Sequence, residues 1–185
     1  MIILGITGTL GAGKGTIVDY LTLHYGYAHY SVRAFLVEKI KERGWTVNRD
    51  TMVVMANTLR EKESSSYIVD QLFNQALQQG KPCIIESIRT PGEVESLRKN
   101  NDFRLIAVDA DPKIRFNRIA ARNSETDQVT FKEFLANEQR EMDSPDPNHQ
   151  NLRKCIEMAD VVLDNSGTVE DLYRQVEAIL ETSGH

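Results

Sequence analysis

The sequence predicts an α/β chain: a three-layer α/β/α domain on a parallel sheet of about five strands, with a mobile lid. Three observations carry that expectation. Short apolar runs alternate with amphipathic stretches of helical length, the pattern of strands buried on both faces and joined by crossovers. At 185 residues the chain has the size of one domain with a full core, and no repeat or Pro/Gly-rich linker divides it. A glycine-rich turn, "GTLGAGKGT" (8–16), joins the first apolar run to the first amphipathic one.

Element by element, "IILGIT" (2–7) reads as a buried strand and "GTIVDYLTLHYG" as a helix stopped by Gly26. "YAHYS" is a weaker second strand. The spacing of Phe35, Leu36 and Ile40 makes "VRAFLVEKIKERG" a helix ending at Gly44. Asp50 is the expected cap of "TMVVMANTLREKE", and the serines before "YIVDQLFNQALQQG" the expected start of a further helix. "KPCIIES" (81–87) is a strand, "GEVESLRKN" a helix, and "FRLIAVDA" (103–110) a strand. Pro112 opens the helix "PKIRFNRIAAR". Residues 123–148 are polar, contain "SPDP" and offer little to a core, so they read as a mobile excursion, with a capping-box spacing at "TFKE" (130–133). "DPNHQNLRKCIEMA" reads as helical, "DVVLDNSG" as a strand into a turn, and "TVEDLYRQVEAIL" as the closing helix.

Bulk properties narrow the function. Apolar residues make up 41% and charged residues 26%, ordinary globular values. A net charge of -5 argues against a broad surface for a nucleic-acid polymer or an anionic membrane, so a small anion would need a local arginine cluster. Cys83 and Cys155 make no disulfide framework, and with the four histidines they offer no metal-ligand spacing. No run has the length of a membrane span, and "MIILGITG" is too short for a signal peptide; a reduced cytoplasmic setting is the expectation. Met52, Val53, Val54 and Met55 read as packing or, where exposed, as a homodimer contact.

The sharpest signal is G-x-x-x-x-G-K at Gly8, Gly13 and Lys14, with a strand before it and a helix after. Glycines let backbone N–H groups turn inward onto a phosphate, and the helix adds its N-terminal donors and dipole. Gly11, Ala12, Gly15 and Thr16 complete the loop. Gly15 stands where many such loops carry the hydroxyl that meets magnesium. Glu86 ends its strand at the edge that opens into the ligand crevice of doubly wound sheets, where a carboxylate can hold metal-bound water. Arg118 and Arg122, four apart, share one helix face.

"GTLGAGKGT" resembles the phosphate loop of adenylate kinase and related nucleoside monophosphate kinases, which also place Gly-Thr after the lysine. The resemblance implies ATP and Mg2+ as cofactors, with Lys14 on the ATP phosphates and Thr16 and Glu86 positioning the metal partly through water. "IIESIRT" is similar to the segment in which that acid precedes an arginine on the acceptor phosphate, here Arg89. Arg118 and Arg122 match the arginines leading into the lid (about 123–148), and Arg140 and Arg153 are candidates to swing onto the transferring phosphoryl. Arg33 and Arg60 fall in the helical region (about 32–80) where these kinases bind the acceptor. The second half, "IAVDADPKIRFNRIAARN" and "MADVVLDNSGTVEDLYRQV", resembles dephospho-CoA kinase, which implies that Asn165, Ser166 and Gly167 form a turn near the adenine.

The middle departs from dephospho-CoA kinase: "HYSVRAFLVEK" has Ser31 and Arg33 but no aspartate to activate a sugar hydroxyl. A monophosphate, with a second pKa near 6, arrives ionised and needs arginines instead. The sequence therefore points to an ATP-dependent (deoxy)nucleoside monophosphate kinase. Two alternatives stay open: a hydroxyl-acceptor kinase with Glu38 or Asp50 as a displaced base, and a non-kinase NTPase or nucleotide-sensing module.

Overall fold

The computed structural model describes residues 1–122 and 129–182. Five strands form one parallel sheet in the order β2-β3-β1-β4-β5: β1 (Ile3–Gly8), β2 (Ala28–Ser31), β3 (Cys83–Glu86), β4 (Phe103–Asp109) and β5 (Val161–Asp164). Among the described residues, nine helices connect and cover them: α1 (Lys14–Tyr25), α2 (Val32–Glu42), α3 (Arg49–Lys62), α4 (Tyr67–Gln79), α5 (Pro91–Leu97), α6 (Pro112–Arg122), α7 (Phe131–Met142), α8 (Leu152–Glu157) and α9 (Val169–Thr182).

Both faces of the sheet are buried, which is why its strands are continuous apolar runs. Successive side chains point to opposite faces. Ile3, Cys83, Ile85 and Leu105 join a core with residues of α2, α3, α4, α5 and α8. Leu4, Ile6, Ile84, Ile106 and Val108 join the other core, with Ile17, Val18 and Leu21 of α1 and Leu172, Val176 and Ile179 of α9. The expected three layers are present.

Several boundaries differ from expectation. α3 is capped by Asn48, not Asp50: the Asn48 side chain accepts from the Thr51 amide at 2.8 Å, and the Thr51 hydroxyl accepts from the Asn48 amide at 3.0 Å. That reciprocal box satisfies two donors and starts the helix earlier. Ser66 precedes α4 but makes no cap; its hydroxyl donates to Asp70 at 2.7 Å. The helix expected from Asp146 begins only at Leu152, capped by Asn151, because Asp146 instead accepts from the Asn148 amide in a tight turn. Of the excursion 123–148, residues 123–128 lie outside the described residues. The remainder contains α7, whose Thr130–Glu133 capping box is present and whose Phe134 is buried. No helix among the described residues is long and apolar enough to cross a membrane.

Candidate active site

Strand order opens the crevice. The connection from β1 leads to β2, beyond β3, while that from β3 leads to β4, beyond β1, so the two loops leave in opposite directions. In register, Ile6 of β1 faces Glu86 of β3, which brings the carboxylate beside the glycine-rich loop.

The loop is shaped by what presses on it. Gly8, Gly11 and Gly13 have φ of 138°, 79° and 100°. A Cβ on Gly8 would stand 2.1 Å from the Val108 carbonyl oxygen and one on Gly11 2.6 Å from that of Arg115, so only glycine fits either position. Gly15 is different: nothing lies within 4 Å of where its Cβ would stand. Lys14 folds back, donating to the carbonyls of Gly8 at 2.9 Å and Thr9 at 2.7 Å. Burial, then the Arg89 charge, lowers its pKa to about 7. The Thr9 hydroxyl donates to Asp109 at 2.5 Å, tying the loop to the end of β4.

Glu86 pairs with His29, whose Nε2 lies 3.2 Å from its carboxylate, and also meets the Ser87 side chain. Burial pushes its pKa up, but the His29 contact and the Lys14 charge outweigh that and hold it below the ordinary carboxylate value. The next residue, Ser87, has φ 73°, the one left-handed non-glycine among the described residues. The amides of Ser87 and Ile88 both donate to the Ile6 carbonyl, at 2.9 and 3.1 Å, and the turn is held in that conformation.

Loop and strand end open into a cavity of about 440 Å³. Its wall carries Lys14, Arg33, Arg49, Arg60, Arg89 and Arg122 against two carboxylates, Glu86 and Glu141. Val32, Leu36, Met52 and Val53 give it an apolar side. Glu141, from α7, accepts from Arg89 Nη1 at 2.6 Å and from Arg49. Burial pushes its pKa up, and Arg89 and Arg49 more than reverse this. Arg60 is 1% exposed and donates through Nε and Nη2 to Glu93, at 3.2 and 2.7 Å; its Nη1 is buried with no hydrogen-bond partner. Glu93 also accepts from the amides of Arg89 and Thr90, so one buried carboxylate fixes both Arg60 and the backbone that carries Arg89.

The AAA_18 family, described as an AAA domain, matches residues 4–144. A UPF0200 protein of Methanothermobacter thermautotrophicus (strain Delta H) is 30% identical over 183 residues, 97% of this chain and 90% of that protein. The chain belongs to the AAA_18 family, with the UPF0200 proteins. Two solved structures share the architecture of this AAA_18 chain. Shikimate kinase from Aquifex aeolicus vf5 has a TM-score of 0.55 at 14% identity, covering 98% of this chain and 97% of that one. A gluconokinase from Sinorhizobium meliloti 1021 has a TM-score of 0.56 at 13% identity, covering 100% and 98%. At such identities the likeness establishes the fold alone: the P-loop kinase fold.

Within this AAA_18 member the expected site residues separate into two groups. Gly11, Gly13, Lys14, Gly15, Glu86, Arg33, Arg60, Arg89 and Arg122 line one cavity. Thr16, in the first turn of α1, and Gly8 and the buried Ala12 shape the loop without lining it. Arg118 donates to the Asn165 carbonyl at 2.8 Å. Asn165, 5% exposed, donates to the Ala12 carbonyl at 2.8 Å. The pair therefore braces the loop from behind. Ser166 accepts from the Asp111 amide at 3.1 Å, and Gly167 lies against Asp171. Arg140 donates to Asn137 and lines an adjoining hollow, not the cavity. Arg153 pairs with Asp143 on the surface. Two groups had no motif to reveal them. Arg49 and Glu141 meet only in the fold. Arg115, 2% exposed, donates to Ala110 and Leu10 carbonyls and to Glu138 of α7, so it ties the glycine-rich loop to α7.

Proposed function

We propose that the chain transfers the terminal phosphoryl group of ATP to a small anionic, nucleotide-like acceptor, foremost a (deoxy)nucleoside monophosphate. One observation carries the reading: a chain of net charge -5 gathers six cationic side chains around one cavity that also holds the glycine-rich loop and an apolar wall. Charge of that kind in a confined cleft serves polyanions, and the apolar wall suits the uncharged body of a nucleotide.

The loop amides and Lys14 hold the ATP phosphates. Arg89, with Arg33 and the unpaired Nη1 of Arg60, fixes the acceptor so that its oxygen lies in line with the terminal phosphorus. The acceptor oxygen forms a bond to phosphorus as the bond to ADP breaks, and Arg122 spreads the charge that builds on the transferring group. Thr16 and the ionised Glu86 offer hard oxygen donors, the chemistry that suits magnesium, and would hold it partly through its waters. Bound there, the metal supplies charge neutralisation across the ATP phosphates. α7, carrying Glu138 and Glu141, is the element suited to exclude water, which would otherwise take the phosphoryl group.

The choice of acceptor follows from the carboxylates. A hydroxyl acceptor calls for a base, yet Glu86 and Glu141 are both held below their ordinary pKa. Glu38 is exposed, and Asp50 lines the adjoining hollow instead. A phosphate acceptor, already ionised, needs none of them. Coupled ADP release with Mg-ATP, run with each ribo- and deoxyribonucleoside monophosphate beside dephospho-CoA, shikimate and gluconate, tests the reading. Stimulation by one monophosphate class is expected. Turnover with a hydroxyl acceptor alone overturns the acceptor assignment, and slow hydrolysis indifferent to every acceptor points to a nucleotide-sensing module.

A further inference from the structure

Glu141 sits where a ligand would. Its carboxylate, 13% exposed, is reached from one side by Arg49, at the start of α3, and from another by Arg89, after β3. Gln150 also accepts from Arg89, at 3.0 Å. Two guanidinium groups from separate elements converging on one oxyanion is how proteins hold a carboxylate or phosphate ligand. Here the chain supplies the oxyanion itself.

The same residue forms a partition. Arg49, Val53, Glu141 and Gln150 line both the 440 Å³ cavity and a second hollow of about 300 Å³ between α3 and α7. That hollow is bordered by Arg140 and His149, and also by Asp50 and Asp143. Glu141 therefore has somewhere polar to go.

We propose that Glu141 is an internal stand-in for the anionic group of the acceptor and selects acceptors by charge: a dianionic phosphate displaces it from Arg49 and Arg89, and a monocarboxylate does not. This rests on the acceptor reading above and makes it sharper. A tethered carboxylate competes at an effective concentration of roughly millimolar or more. A free monocarboxylate trades like charge for like charge and must also give up its translational freedom. A phosphate brings a charge of about -1.5 to -2 and a third oxygen, and so gains from both arginines what the carboxylate cannot offer. The displaced Glu141 turns its side chain into the second hollow.

The test measures binding of inorganic phosphate and of acetate by calorimetry, with Mg-AMPPNP filling the phosphate loop. The full-length chain is expected to bind phosphate and not acetate. Glu141→Gln frees both arginines: phosphate binds about tenfold tighter and acetate binding appears. Arg49→Gln weakens phosphate binding. Glu141→Asp, which keeps the charge, stays near wild type. Thermal melts of each variant confirm that it is folded. The proposal is overturned if Glu141→Gln weakens phosphate binding or leaves both anions unchanged, or if the Gln and Asp variants shift alike. Because no turnover is read, a positive result stands even if no monophosphate proves to be a substrate, and the two failures are told apart.

Discussion

Lys14 shows how a single side chain is kept unstable for use. Burial and then Arg89 lower its pKa from 10.5 to about 7. Between those values the unfolded chain holds a proton that the folded chain has released, so folded stability rises with pH across that window and the full disadvantage is felt below about pH 7. Lys14→Met removes the buried amine, and its melting temperature at neutral pH is expected to exceed that of wild type while ATP binding is lost. Polyphosphate charge raises the amine's pKa again, so binding takes up protons. Calorimetry in two buffers of different ionisation enthalpy should show uptake above about pH 7 that fades at lower pH. Identical heats in both buffers would mean that Lys14 is already charged in the empty loop.

At the scale of elements, the turn after β3 is where backbone strain is stored. Ser87, at φ 73°, is one residue beyond Glu86 and lines the cavity. Ser87→Gly should relieve about 1 kcal/mol of strain and Ser87→Val should cost at least as much, read from urea midpoints. If Glu86 needs that turn to stay beside the loop, the glycine variant gains stability and loses turnover. Most elements were legible beforehand, because a sheet buried on both faces writes itself as apolar runs and helices announce their ends: Gly26, Gly80 and the Thr130 box all stand at helix limits, while the Thr90 box that opens α5 was not singled out. What was not legible has one physical character. Arg49 and Arg89 find Glu141 across 92 and 52 residues, and Arg115 finds Glu138 across 23. Periodicity reports which face is buried, never which distant charge will meet it. α7 reads as a polar excursion because Phe134 is its only buried residue, and a ring cluster of Phe116, Phe131 and Phe134 holds it in place together with the ion pairs of Glu138 and Glu141.

For the whole molecule, charge is separated rather than balanced. The surface is acidic overall while the cavity is cationic, so anionic substrates are repelled until the cleft's own field takes hold. Raising ionic strength screens both the approach and the ion pairs that α7 makes with Arg49, Arg89 and Arg115. The Michaelis constant for the acceptor is expected to climb with salt more steeply than the turnover number falls, and a flat profile from low to high salt would remove steering from the account.

The brace behind the glycine-rich loop has a consequence for what counts as the unit of inheritance. The AAA_18 match ends at residue 144, although the UPF0200 relative stays similar over 97% of the chain, and every motif residue of the cleft lies before that boundary. Yet the Ala12 carbonyl is held by Asn165, Asn165 is held by Arg118, and the sheet beside them is closed by β5 and covered by α9. A fragment cut at the matched boundary would keep the motif residues of the site and lose their support: the loop unbraced, β4 left as a bare edge, and the α9 share of one core layer missing. The matched domain and the foldable protein have different borders here, and Asn165 lies between them.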